Sequence, residues 1–394
     1  MANDAPYIRN VSREAIDTMH KARVLVGFLV IMTALCGLAH AQTPPPSVNG
    51  KPISELKGVE LFRAACITCH AADGKGSPRE LVGFDAELPD FTDCRFSTPE
   101  PDPDWSAMIH NGGTVRAFPR TMPSFRDVLT DEQISGLIDY LRGFCTDTAW
   151  PLGDLNLPRP LNTEKAFPEN EAVVTTTFSR DPGSVSSQFV FEHRLGARGQ
   201  YEIALPFNVQ KSGAGNWDRG LGDAEVSYKH VLFHNIKSGS ILSAAGELGL
   251  PVGKESQGMG SGHTVVAGFA SFGQILPRDG FIHFQAGLDH PLKKGVDDET
   301  FWRAVGGKSF TQAMGTGRAW TPMIEALGAR EMTAGGKAEW DLVPQMQVTL
   351  SKRQHIMVNA GIRFPVNDRQ ARSKTFMVYF LWDWFDGGLF SGWK

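Results

Sequence analysis

The sequence predicts a two-domain chain: a small α-helical domain over residues 50–147, then an antiparallel β-barrel over residues 171–394. The barrel is expected to have about 12 strands. Three observations predict this. Apolar residues recur at helical spacing up to residue 147. Prolines crowd residues 148–170. Beyond 171, apolar and polar residues alternate with a period of two. At 394 residues the chain also exceeds one ordinary domain.

The first element is a targeting segment. Lys21 and Arg23 precede an apolar stretch, Val24 to Leu38, followed by Ala39-His40-Ala41, a small-x-small cleavage site before Gln42. Export across the inner membrane with removal of residues 1–41 is the expected outcome; an uncleaved anchor helix is the alternative. Met19 followed by His20-Lys21-Ala22-Arg23 is a more conventional start than the polar residues before it. Cys36 follows Leu35, which is too bulky for lipoprotein processing. After residue 42 no run is long and apolar enough for a membrane-spanning helix. A net charge of -4 and a pI near 6.3 leave no polyanion-binding footprint, so nucleic acid is not an expected partner.

Cys66-Ile67-Thr68-Cys69-His70 is the most informative run in the chain. Two thiols at this spacing add across the vinyl groups of haem, and the adjacent histidine then lies under the iron. C-x-x-C by itself leaves zinc binding or dithiol chemistry open. The immediate histidine, in an exported protein, selects one covalently attached haem c on Cys66, Cys69 and His70. Of the remaining cysteines, Cys94 and Cys145 lie in the same exported domain. A disulfide between them and a pair of free thiols are both compatible with the sequence, and geometry must decide.

Residues 54–68 fit an amphipathic helix with Leu56, Val59, Phe62 and Ile67 near one face, beginning at Ser54. A second helix opens at Thr130 as N-cap, with Ile134, Leu137, Ile138 and Leu141 as its apolar stripe. Between them runs Phe118-Pro119-Arg120-Thr121-Met122-Pro123. With these features, residues 54–144 resemble a small class I c-type cytochrome. The resemblance implies His70 as proximal ligand and Met122 as distal ligand of the haem iron. It also implies that Gly58 and Phe62 face Tyr140 and Leu141 at a helix crossing, and that Gly74 and Gly76 pass close to the porphyrin. A carbonyl near Pro78 would accept the His70 Nδ1 proton. Imidazole and thioether both suit low-spin iron, and filling both axial positions favours electron transfer over substrate binding. Met122 as an ordinary core methionine remains open. Met108 and His110 compete for the distal role, although 108–110 reads better as part of a helix after Trp105.

Residues 148–170 are expected to be a proline-rich linker that docks on a neighbouring domain through its apolar residues: Trp150-Pro151, Leu157-Pro158-Arg159-Pro160 and Phe167-Pro168 favour extended backbone. Beyond it, Tyr201, Ile203, Leu205 and Phe207 alternate with Gln200, Glu202 and Ala204. Ile282, Phe284 and Leu288 alternate with His283, Gln285 and Asp289. Each segment has one apolar and one polar face. A soluble sandwich also produces alternation. The barrel is favoured because charged and amide residues recur at mid-strand, fitting an aqueous lumen, and because connections alternate in length. Those near 195–199, 236–239, 275–279 and 351–354 are short; 211–221, 251–262, 290–298 and 365–373 are longer, and 307–317 breaks the rule. The aromatic last strand, 375–386, adds a low-specificity resemblance to transporter-type outer-membrane barrels. Glu202, Glu225, Lys229, Glu339 and Arg363 are expected as solvated lumen wall. His193, His230, His234 and His355 lack helical metal spacing and are expected as interfacial or lumen residues.

The expected function is haem-dependent electron transfer. A periplasmic haem domain, held by a barrel in outer-membrane lipid, exchanges electrons with periplasmic redox partner proteins. The alternative is a porin or transporter for a small solute, with the haem domain as plug, sensor or redox gate. A peroxidase with open iron coordination is a third class, which a Met122 ligand opposes.

Overall fold

The computed structural model describes residues 47–85, 87–180, 183–212, 215–311, 317–384 and 390. The export segment 1–41, Cys36 included, lies outside the described residues, as do 312–316 and most of the tail after 384. Residues 1–53 and 54–394 are separate units. In the first, β1 (Ser47–Val48) and β2 (Lys51–Pro52) pair as an antiparallel hairpin.

The second unit opens with a helical domain. Helix begins at Val59, later than the expected Ser54, which sits in a 3-10 turn, Ile53–Glu55. The reason is Gly58, whose φ of 46° stops helix from extending upstream. The helical run 59–70 passes through a π-turn, Phe62–Cys66. Leu56, Leu61 and Phe62 are buried, whereas Val59, expected on the same face, is exposed. The helix Asp131–Arg142 starts on a capping box, in which Gln133 N–H donates to Thr130 Oγ1 (3.3 Å) and Thr130 N–H donates to Gln133 Oε1 (3.1 Å). Ile134, Leu137, Ile138 and Leu141 form its buried stripe. The two helices cross where the tilted rings of Phe62 and Tyr140 meet, with centroids 5.3 Å apart. Cys94 and Cys145 are disulfide-bonded. Closing that loop contributes about 4 kcal/mol on the chain-entropy account.

Residues from 171 onward build the sheet: β3 (Glu171–Ser179), β4 (Ser184–Leu195), β5 (Gly199–Lys211), β6 (Trp217–Leu221), β7 (Ala224–Asn235), β8 (Ser240–Leu250) and β9 (Val265–Leu276). It continues through β10 (Gly280–Pro291), β11 (Glu299–Lys308), β12 (Trp320–Glu331), β13 (Glu339–Thr349), β14 (Ile356–Pro365) and β15 (Thr375–Asp383). Neighbours pair antiparallel, β15 pairs with β3, and β4 with β5, so the sheet closes into a barrel of 12 strands. Closure excludes the sandwich. The short β6 lies in the connection expected as loop 211–221 and pairs only with the end of β5.

Ile203, Leu205, Phe207, Tyr228, Ile282, Phe284, Trp320, Ile324, Trp340, Leu342 and Phe376 are exposed on the outer face. An apolar belt of that size has no place in water. On a closed barrel, it is the lipid face of a membrane-spanning protein.

The interior differs from the expected aqueous lumen. Residues 153–170 fill it. Arg159 pairs with Glu171 of β3 and Glu192 of β4. Glu169 N–H donates to Gln200 of β5 (2.7 Å), and Lys229 of β7 donates to the Lys165 carbonyl (2.9 Å). Leu155 and Phe167 pack on Ile241 of β8 and Ile275 of β9. His283 of β10 meets the Pro158 carbonyl (3.0 Å), and Arg303 of β11 the Asn162 carbonyl. Thr163 donates to Glu325 of β12 (2.6 Å), and Leu161 N–H to Gln345 of β13 (2.9 Å). Asn359 of β14 and Tyr379 of β15 both donate to the Arg159 carbonyl. Every strand of the closed barrel thus grips this segment. Lys229 is a buried contact rather than solvated wall, because a polar inner face satisfies backbone groups of an inserted chain as well as it solvates water.

Candidate functional site

Helix geometry brings the sequence motif to one cavity. Cys66, Cys69 and His70, on the run 59–70, line a cavity of about 890 Å³, and Met122 lines it from the loop after residue 117. That volume is in the range of cofactor sites. Phe62, Phe91, Trp105, Ile109, Leu137 and Leu141 make its walls apolar. Cys66 and Cys69 are not disulfide-bonded. Burial, then the neighbouring Cys69, pushes the Cys66 thiol up to about 11. Burial lowers His70 below the ordinary histidine range, which keeps the imidazole neutral and able to ligate a metal. Its Nδ1 is buried without a hydrogen-bond partner among the described residues, so the carbonyl expected near Pro78 does not meet it. A half-buried, neutral histidine beside two thiols and a thioether, in an apolar cavity, fits a haem.

The Met122 loop is held by contacts the sequence reading passed over. Gly113 N–H donates to the Met122 carbonyl (3.1 Å). Gly112 has φ 79°, and a Cβ there would stand 3.0 Å from the same carbonyl, so the loop approaches only because glycine is present. The Gly112-Gly113 dipeptide was the available signal. Met108 is on the helix Asp102–Asn111 and also lines the cavity. His110 does not line it; its Nδ1 is 3.1 Å from Asn111 Oδ1.

A buried polar cluster adjoins the cavity. Arg116 pairs with Asp104 (2.6 Å) and Glu100 (3.1 Å), and His355 stands 3.3 Å from Glu100 and pairs with Asp383. Burial raises both carboxyls. At Glu100 the Arg116 charge and His355 outweigh it and hold the group well below its usual range; Asp104 stays well above its own. His355, expected only as an interfacial or lumen residue, is one of the groups joining the helical domain to the barrel.

Residues 54–141 match the family model described as "Cytochrome C oxidase, cbb3-type, subunit III". The helical domain is a c-type cytochrome domain. The chain matches no curated protein. Among solved structures it is similar to an outer membrane channel from Pseudomonas putida F1, at 11% identity and a TM-score of 0.44, covering 58% of this chain and 100% of that one. It is similar also to NanC porin, at 7% identity and a TM-score of 0.39, covering 54% of this chain and 99% of that one. KdgM porin follows at 9% identity and a TM-score of 0.35, with 54% and 99% covered.

The junction of the cytochrome domain with the inserted segment carries a pH signature. Asp154 accepts a hydrogen bond from Asp102 N–H (3.1 Å), while its Oδ2 is buried without a partner among the described residues. Burial, then the Asp102 charge, pushes its pKa up to about 6. A carboxyl with a folded pKa above its unfolded value binds its proton more tightly when folded. Its contribution is therefore complete below about pH 4 and declines by about 3 kcal/mol as pH rises through 6. Denaturation of Asp154→Asn across pH 4–7 should show that slope flattened relative to wild type; an unchanged slope places the proton elsewhere.

Proposed function

We propose that this protein is a membrane-anchored electron carrier. Its single haem c is held by thioether bonds from Cys66 and Cys69, with His70 and Met122 as axial ligands. Bound there, haem supplies one-electron redox chemistry. The chain's own residues exclude water with the aromatic walls, present a neutral imidazole, and hold the Met122 loop on the Gly113 N–H. The observation that carries this reading is the convergence of all four side chains on one cavity.

The remaining parts follow from it. Residues 1–41 direct export, the barrel lies in the outer membrane, and the cytochrome domain faces the periplasm. An even strand number puts both barrel ends on one side, and the domain precedes the first strand. Periplasmic redox proteins are then the partners, and lipid surrounds the apolar belt. The filled lumen favours the barrel as an anchor.

A second reading, a solute channel gated by the cytochrome domain, rests on one contact. Gly153 N–H, at the head of the inserted segment, donates to Thr98 O of the cytochrome domain (2.7 Å), so a change in one reaches the other. On that reading residues 153–170, rather than the cytochrome domain, are the plug.

Membrane fractionation with haem staining and visible spectroscopy tests the proposal. One heat-modifiable, haem-stained band is expected in outer-membrane fractions, with a methionine-to-iron charge-transfer band that Met122→Ala removes. A band that survives in Met122→Ala assigns the ligand to Met108. An unstained protein removes the electron-transfer reading.

A further inference from the structure

One wall residue of the haem cavity does not come from the cytochrome domain. Arg353, in the turn between β13 and β14, lines the same cavity as His70 and Met122. It is 7% exposed, although it stands on a barrel turn. Its guanidinium lies 3.9 Å from the ring centroid of Phe118, which also lines the cavity.

The turn is fastened in place from both sides. Arg116 Nη2 donates to the Arg353 carbonyl (2.8 Å) while its guanidinium holds Glu100 and Asp104. Two residues on, His355 bridges Glu100 and Asp383. Arg353 is the cation that the barrel adds to the wall. A haem carries carboxylate side chains, and a planar guanidinium suits a carboxylate better than any other cationic group does. The Phe118 ring beneath the Arg353 guanidinium helps hold that fork in place.

We propose that Arg353 is a haem-binding residue supplied by the barrel, pairing with a haem carboxylate, so that the cofactor site is complete only when barrel and cytochrome domain are docked. This rests on the haem reading above. A cation held at that wall favours the reduced, less positive iron.

The test is a potentiometric titration of the full-length protein in detergent. Arg353→Gln should lower the reduced-to-oxidised ratio at fixed poise about tenfold, a fall of about 59 mV for a one-electron couple. Arg353→Lys keeps the charge and should recover most of the wild-type ratio. Lys352→Gln, which removes an exposed charge from the same turn, should leave it unchanged. If Arg353→Gln disturbs docking, Arg353→Met keeps an unbranched side chain beside Phe118 without the charge and should show the same fall. A methionine-ligated haem whose potential is unmoved in the uncharged variants overturns the proposal while leaving the haem reading intact. A wild-type protein without haem overturns both.

Discussion

Replacing Cys66 and Cys69 together with alanine is expected to abolish covalent haem: the denatured chain should lose haem stain completely and show the bare polypeptide mass. Thioether bonds survive denaturation, whereas an axial histidine or methionine bond does not, so the stain reads the two sulfurs alone. Either single variant retains one thiol and should keep partial stain. Folding of the domain depends on other features, including the Cys94–Cys145 bond and the buried stripe of the helix Asp131–Arg142. The double variant should therefore still reach the membrane, and mass spectrometry of the fractionated band checks it. Full stain in the double variant would mean that the C-x-x-C-H run is not the attachment site.

Arg159→Ala should open the barrel and destabilise it. The Arg159 side chain lies between Glu171 and Glu192, which are 1% and 0% exposed. Removing one partner of a buried ion pair leaves an uncompensated charge and costs about 3–5 kcal/mol. Arg159 is also the residue whose carbonyl is gripped by Tyr379 Oη at 2.7 Å, so loosening it loosens the inserted segment where it meets β15. Wild-type protein in a planar bilayer is expected to be electrically silent, with openings in Arg159→Ala. Steady conductance in the wild type would favour the channel reading over the anchor.

The local parts of this architecture were legible because they depend on neighbours in sequence. Thr130 and Gln133 form their capping box three residues apart, and the Cys66–His70 run needs only one turn of helix. The alternation of Tyr201 and Ile203 with Gln200 and Glu202 reports which face meets water or lipid, whatever lies across the barrel. The helix start was misplaced because Ser54 offers cap chemistry, while the positive φ of Gly58 is set by how the chain enters the domain.

That the linker docks was legible from its apolar residues; its path through the barrel was not. Its prolines describe an extended backbone equally well in a spacer and in a strap running through a barrel. The partners that distinguish the two are remote: Leu161 meets Gln345, and Arg116 meets Arg353. Lys229 read as a solvated wall because a lysine facing inward has the same pattern whether water or a carbonyl accepts its hydrogen bond. Periodicity and a local motif thus pointed to a cytochrome-type helical domain joined to a strand-built domain. Whether the sheet closes, what fills it, and which barrel turn reaches the cavity depend on contacts between residues far apart in the chain, and those arise only when the backbone folds back on itself.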